Sequence, residues 1–184
     1  MQEISLHLLD IAENSVAANA RNIRITVLED SKADRLLMAV EDDGKGMDAE
    51  MVRKVVDPFV TTRTTRKVGL GIPLLKAAAE ACNGYLTIES ELGKGTRLEV
   101  AFQRSHIDRM PVGDLASTLL NLVVAYPEIH WVFDYRVNDQ SFIFDDEPIK
   151  RELEGIPLCE PDILSYLRNT IENGIGEIKP ADSW

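Results

Sequence analysis

Residues 36–46 read LLMAVEDDGKG, so an apolar run passes directly into two aspartates and a pair of glycines. The run 36–41 predicts a strand, because short apolar segments bounded by turn residues are typical of buried strands. Glycines at 44 and 46 can adopt positive φ angles, which predicts a tight turn after that strand. The alternating segment 23–28 lies just upstream across a polar stretch, so the two segments together predict a β-hairpin.

The flanking sequence predicts helices on either side of this hairpin and a second hairpin further along. The predicted helices span 3–19, 49–56 and 71–83, and the second hairpin joins 86–90 to 96–102. Gly84 is expected to be the C-cap of the third helix. These elements predict an α+β fold, a two-layer sandwich in which helices cover one face of a mixed, mostly antiparallel sheet.

Charge divides the chain near residue 104. Residues 1–104 carry 16 acidic and 14 basic side chains, a net charge of −2, whereas residues 105–184 carry 15 acidic and 6 basic, a net charge of −9. We therefore expect two units, 1–104 and a small acidic C-terminal α+β unit, 105–184. The second unit carries predicted helices at 113–126 and 160 onward, and strands at 129–137 and 140–144. Its acidic triplet 145–147 is expected to cap a short helix.

Composition excludes several classes of function. The acidic balance argues against a nucleic-acid ligand, because neutralising phosphates requires clustered Lys and Arg. No apolar run approaches the roughly 18 residues of a membrane span, and no basic leader precedes the first helix. Cys82 and Cys159 stand apart, and the three histidines are too scattered for a metal set. A cytoplasmic protein with reduced thiols is therefore expected.

Four separated patches of the first 97 residues carry acidic, amide or glycine residues and stand out together by their order and spacing. They are Asp10–Asn14, Asp42–Gly46, Val68–Gly71 and Gly93–Thr96. In order and spacing they resemble the N, G1, G2 and G3 boxes of the GHKL superfamily, which includes histidine kinases, MutL, gyrase and heat-shock chaperone ATPases. The resemblance covers roughly residues 3–103. It implies the α+β sandwich described above, with Mg-ATP as the ligand.

The first patch places two polar side chains on one side of a helix. Asp10 and Asn14 lie one turn apart, so their side chains point the same way. The resemblance implies that Asn14 ligates Mg²⁺ beside the phosphates. It also implies a base at Asp10 that acts on the oxygen attacking the γ-phosphate. Many members have Glu there, one methylene longer, and Asp10 as a solvated helix residue is the alternative.

The second and fourth patches are expected to hold the base of the nucleotide. The resemblance implies that Asp42 accepts a hydrogen bond from the adenine exocyclic amine, while Gly44 and Gly46 adopt positive φ angles beside the ring. Met47 is expected to pack on the ring, and Thr96 to reach the adenine side through water. The alternatives are a simple acidic β-turn at Asp42 and an ordinary strand threonine at Thr96.

Residues 58–71 resemble the short ATP lid of nitrogen-regulator-type histidine kinases. Phe59 is expected to anchor this lid to the sheet. Its cations would contact the β- and γ-phosphates, and its glycine segment would expose backbone amides at a helix N-terminus. The residues expected to contact phosphate are Arg63, Arg66, Lys67, Gly69, Leu70 and Gly71. A solvated basic loop is the alternative.

Two functions remain open from the sequence. Histidine kinases carry a phosphoacceptor helical hairpin before the ATP domain, and the residues before Asn14 leave no room for one, so a stand-alone module is expected. As an enzyme it would transfer or hydrolyse the γ-phosphate, as histidine-kinase-like or anti-sigma-factor kinases do. As a binding module it would sense ATP or ADP with little turnover. In both cases residues 105–184 are expected to dock a protein partner or substrate, or a second copy of this chain; a structural buttress is the alternative.

Overall fold

The computed structural model describes residues 3–57 and 71–178. The elements in chain order are α1 (Ile4–Ala17), β1 (Asn22–Asp30), β2 (Arg35–Asp42), α2 (Ala49–Val56), α3 (Gly71–Ala81), β3 (Tyr85–Glu91), β4 (Gly95–Gln103), α4 (Leu115–Ala125), β5 (His130–Val137), β6 (Gln140–Asp145), α5 (Glu147–Glu152) and α6 (Pro161–Ile178). Each of these elements was predicted from the sequence. The predicted ends differ from the observed ones by no more than two residues.

The strands form one six-stranded sheet in the order β3-β4-β2-β1-β5-β6. Neighbours pair antiparallel, except that β1 and β5 are parallel. Helices α1, α3, α4 and α6 contact one another or the sheet and form the second layer. The expected mixed, mostly antiparallel α+β sandwich is thereby confirmed. Within the described ranges, no helix combines the length and the apolar character that crossing a bilayer requires.

The acidic C-terminal part extends the sheet of the N-terminal part. Ile23 of β1 lies opposite Trp131 of β5 in parallel register. Trp131, Phe133 and Tyr135 are at most 1% exposed and share one hydrophobic core with Ile25. The boundary expected at residue 104 therefore follows the end of β4, and the same sheet and core continue beyond it.

The segment between β4 and α4 closes the N-terminus of α1. The side chain of Glu3, the N-cap residue, makes no capping hydrogen bond. Instead Ile4 N donates to Pro111 O at 3.0 Å, and Ser5 N donates to Val112 O at 2.9 Å. These bonds satisfy two of the amides that the first helical turn leaves free. The start of α1 thus depends on residues beyond 104.

Two expectations about helix ends require correction. Gly84 is not the left-handed residue after α3, because Asn83 takes that conformation with φ +54°. Gly84 is required by packing, since a Cβ there would lie 1.8 Å from Ala101 O. In the acidic triplet, Asp145 Oδ1 accepts from Glu147 N at 2.9 Å as expected, but Asp146 makes no capping bond with its side chain.

Candidate functional site

Polar residues from three separate segments meet at one end of the sheet. Asp42 ends β2, and its neighbour across the antiparallel ladder is Thr96, at the start of β4. Ser15 Oγ of α1 donates to Asp42 Oδ2 at 2.5 Å. This bond ties the helix that carries Asp10 and Asn14 to the strand end that carries Asp42. The structure therefore brings the first, second and fourth sequence patches together.

The carboxylate of Asp42 is half-buried and oriented by two donors. Gly44 N donates to Oδ1 at 2.9 Å, and Ser15 Oγ donates to Oδ2. Each carboxylate oxygen can accept a second hydrogen bond. The side chain is thus held in one orientation and retains acceptor capacity for a ligand that offers a donor.

The neighbouring Asp43 has a different task. Its Oδ1 accepts from Arg21 N at 2.7 Å and from Asn22 N at 2.9 Å, and its Oδ2 accepts from Asn22 Nδ2 at 2.6 Å. Partial burial works against ionisation, but the hydrogen bonds from Asn22 and Arg21 outweigh it and lower the pKa of Asp43. Asp43 therefore anchors the loop to the start of β1 and leaves Asp42 as the acceptor of the site.

The two glycines after Asp42 serve close packing of the backbone. Gly46 has φ +67°, and a Cβ there would lie 2.0 Å from Glu91 O. Gly44 does not adopt a positive φ, so that expectation is wrong for this residue. Its constraint is steric, because a Cβ would lie 2.8 Å from Ala18 O. Both glycines let the loop approach neighbouring backbone closely.

A serine hydroxyl joins this loop to the turn between β3 and β4. Met47 N donates to Ser90 Oγ at 2.8 Å, and Ser90 Oγ donates to Gly95 O at 3.0 Å. The hydroxyl of Thr96 lies 2.8 Å from the same Ser90 Oγ. Thr96 is thus positioned by Ser90, while Met47 is half-buried beside it.

Asp10 and Asn14 are exposed on α1. Asp10 reaches the first residue of α3, where a Cβ on Gly71 would lie 2.9 Å from Asp10 Oδ2. A carboxylate at a helix N-terminus is stabilised by the free amides and the helix dipole. His7 precedes Asp10 by three residues and Asn14 by seven, so helical spacing puts it on the same side of α1. It is only 3% exposed, and burial lowers the pKa of its imidazole. It is therefore a core residue.

Sequence reasoning missed two site residues. By helical spacing Ser15 falls on the apolar row of Ile4, Leu8 and Ile11, although it donates to Asp42. The pattern also gives no reason to select Ser90. The sequence does contain a signal for Ser15, because a polar side chain next to Asn14 interrupts an otherwise apolar row. The expected lid residues lie outside the described residues; they are Phe59, Arg63, Arg66, Lys67, Gly69 and Leu70.

Comparison with known proteins gives a family and a fold. Residues 1–106 match the family model described as histidine kinase-, DNA gyrase B-, and HSP90-like ATPase. The chain is 33% identical over 92 residues to the sensor kinase CckA of Brucella abortus, covering 50% of this chain and 10% of that protein. It is 38% identical over 89 residues to the sensor protein kinase FleS of Pseudomonas aeruginosa, and this match covers 48% of this chain and 22% of that protein.

Among solved structures, the N-terminal domain of a DNA repair protein superposes with a TM-score of 0.55 at 13% identity. The match covers 78% of this chain and 52% of that domain, and it concerns the fold alone. The chain spans only a small part of the curated relatives above, at most 22% of their length. The similarity to them therefore describes an ATPase domain and not a whole sensor kinase.

Proposed function

The chain belongs to the histidine kinase-, DNA gyrase B-, and HSP90-like ATPase family, and on this premise we propose that it binds Mg-ATP and transfers or hydrolyses the γ-phosphate. Its role would be that of a small signalling kinase or ATPase, of the histidine-kinase-like or anti-sigma-factor type. The single observation that carries the proposal is the hydrogen bond from Ser15 to Asp42. It joins the helix of Asp10 and Asn14 to the loop of Gly44 and Gly46.

Each described residue then has one role toward the nucleotide. Asp42 accepts from the adenine amine, which discriminates against guanine because guanine lacks a donor at that position. Thr96 contacts the adenine side through water, and Met47 packs on the ring. Asn14 ligates Mg²⁺ through its amide oxygen. Free amides at the N-terminus of α3 favour anions such as phosphates, and Asp10 lies beside Gly71 within reach of that place.

The lid residues complete this proposal from the sequence. Arg63, Arg66 and Lys67 would neutralise the β- and γ-phosphates, with Gly69, Leu70 and Gly71 offering backbone amides and Phe59 anchoring the segment. A protein partner or substrate and a cytoplasmic location belong to the same proposal. The partner is supported by the acidity of residues 105–184, their net charge of −9, and by the position of β6 at the edge of the sheet.

One observation favours a second function, a binding module that senses ATP or ADP without turnover. The Asp10 carboxylate is close enough to Gly71 to stabilise the N-terminus of α3. A structural carboxylate of this kind needs no catalytic role. Incubation with γ-labelled ATP, alone and with cell extract, separates the two functions. Labelled protein or free labelled phosphate supports the enzyme, and intact labelled ATP supports the binding module.

Replacement of Asp42 tests the adenine site. We expect Asp42→Asn to weaken ADP binding by about 1–3 kcal/mol, because a neutral amide replaces the charged acceptor. Calorimetric titration with ADP measures this loss, and titration with GDP shows whether the preference for adenine falls with it. Asp43→Asn is the matched control, because the Asp43 carboxylate accepts hydrogen bonds from Arg21 and Asn22. This variant should have lower thermal stability and nearly unchanged ADP affinity. Equal ADP affinity in Asp42→Asn and wild type would remove Asp42 from the site.

Replacement of Ser15 tests whether Asp42 must be oriented. Ser15→Ala removes the hydroxyl that donates to Asp42 Oδ2, so we expect ADP affinity to fall by about 1 kcal/mol, the net value of one hydrogen bond. Ser5→Ala is the control, because Ser5 is also buried on α1 and lies at its other end. If both variants bind ADP equally, Ser15 is a packing residue only.

A further inference from the structure

A second cluster of ligand-type side chains lies where the C-terminal hairpin meets β1. His130 begins β5, Asp145 ends β6, and Asp146 precedes α5. One ligand atom from each of these residues lies within 4.8 Å of the other two. From the sequence the histidines are too scattered for a metal set; the fold brings two carboxylates to one of them.

The imidazole of His130 lies between two groups that act as acceptors. Its Nδ1 is 3.0 Å from Asn22 Oδ1, and its Nε2 is 2.9 Å from Asp145 Oδ1. The Asn22 amide cannot flip, because its Nδ2 donates to the carboxylate of Asp43 at 2.6 Å. Nδ1 must therefore carry the hydrogen that Asn22 accepts. Nε2 donates to Asp145 when the ring is protonated, whereas in the neutral ring its lone pair faces the carboxylate, a contact that only a proton or another cation stabilises.

This arrangement is the one that metal-binding histidines show. A histidine that ligates a metal donates its other ring N–H to a fixed acceptor, which sets the tautomer and the ring orientation. Here Asn22 is that acceptor, and Asp43 orients it. The 2.9 Å separation between Nε2 and Asp145 Oδ1 is shorter than the roughly 3.4 Å between two tetrahedral zinc ligands, so the two side chains would move apart by about 0.5 Å to hold one ion.

The third group, Asp146, is a buried carboxylate. It is 1% exposed, and its Oδ1 accepts from Trp131 N at 2.9 Å. Its Oδ2 is paired with Lys150 Nζ at 2.5 Å. Asp146 thus presents a buried oxygen that a cation already stabilises, and a metal ion would have to replace that cation.

Lys150 is the internal competitor for this oxygen. Its Nζ lies 2.5 Å from Asp146 Oδ2 as an ion pair one helical turn away, and it donates to Ile129 O. The Lys150 side chain is 22% exposed, so it has a route to solvent when another cation takes its place. The side chains of His130 and Asp145 are 29% and 41% exposed, which gives an ion an entry path.

We propose that His130, Asp145 and Asp146 form a divalent transition-metal site, of which Zn²⁺ is the representative ion. One imidazole nitrogen and two carboxylate oxygens suit zinc, whereas Mg²⁺ prefers oxygen ligands alone. The site is therefore distinct from the Mg²⁺ position at Asn14. Because Asn22 and Asp43 connect it to the loop beside Asp42, a bound ion would fix the C-terminal hairpin to that loop.

Calorimetric titration of the metal-free full chain with Zn²⁺, in the absence of nucleotide, tests the proposal. We expect one zinc per chain, loss of that binding in His130→Gln, and about 10–100-fold weaker binding in Asn22→Ala, which removes the orienting acceptor together with its bond to Asp43 and leaves all three ligands in place. His106→Gln is the control, because His106 lies in the segment after β4, and it should bind zinc as the wild type does. Mg²⁺ should not compete at equal concentration.

A second variant addresses folding and the competitor. Lys150→Met leaves Asp146 buried without its ion pair, which destabilises the metal-free chain. We expect its melting temperature to rise with Zn²⁺ by more than that of the wild type, since the ion replaces the lost charge. Nitrogen NMR of His130 should show zinc bound to Nε2 and hydrogen on Nδ1. Wild-type chain that binds no zinc, or zinc binding that His130→Gln leaves unchanged, overturns the site.

Discussion

A chain that ends after Gln103 is expected to lose cooperative folding. Truncation removes β5 from the edge of β1 and removes Trp131, Phe133 and Tyr135, all at most 1% exposed. Full burial of one such side chain contributes about 1.5–3 kcal/mol, and a domain has only about 5–15 kcal/mol in total. The truncated chain also lacks the carbonyls of Pro111 and Val112 that cap α1.

Size-exclusion chromatography and urea unfolding followed by circular dichroism measure this effect. The expected outcome is aggregation or a broad, non-cooperative transition. Ile107→Ser in the full chain is the control, because Ile107 is 93% exposed and follows β4, and it should unfold like the wild type. A truncated protein that is soluble, unfolds cooperatively and binds ATP would show that residues 104–184 are a separate docking unit and not a structural part of the ATPase fold.

Asp10→Asn is expected to lower ATP turnover by about a hundredfold or more while ADP affinity changes little. A general base contributes roughly 10²–10⁴ to the rate, because it acts on the reacting oxygen and not on the bound ground state. Asparagine keeps the size of the side chain and removes its basicity. Steady-state release of labelled phosphate measures ATP turnover, and calorimetric titration with ADP measures the affinity separately.

Glu13→Gln is the matched control for this prediction. Glu13 is exposed on the same helix, but it is next to Asn14 and points about 100° away around the helix axis. Turnover should therefore remain at the wild-type level. If Asp10→Asn hydrolyses ATP as fast as the wild type, Asp10 only stabilises the start of α3, and the binding module becomes the better description.

Local pattern was sufficient to predict the elements of this fold. Three local patterns correctly predicted their elements. The apolar run before Asp42 predicted β2, the alternation at residues 23–28 predicted β1, and the apolar spacing at 113–126 predicted α4. The turns at the ends of these elements were predictable because glycine marks them, but the conformations were not, since Asn83 and not Gly84 is left-handed after α3. The parallel pairing of β1 with β5 was not predictable in this way, because it joins residues about a hundred positions apart.

The contacts between side chains were less accessible from sequence. Ser15 belongs by spacing to the apolar face of α1, and only the approach of Asp42 turns it into a donor of the site. Gly44 was expected to supply a positive φ, but the constraint on it is the carbonyl of Ala18. Asp146 was expected to cap a helix, and the fold instead buries it beside Lys150.

The sequence by itself determined the family, the order of helices and strands, and the candidates Asp10, Asn14 and Asp42, because all of these are encoded by residue types at short spacing. Tertiary structure decided which of the two aspartates after β2 remains available as an acceptor, since Asn22 and Arg21 occupy Asp43. It also decided that the acidic C-terminal part completes the sheet and that His130 meets two carboxylates. These contacts depend on the pairing of strands that are far apart in the sequence, and the spacing of neighbouring residues does not predict that pairing.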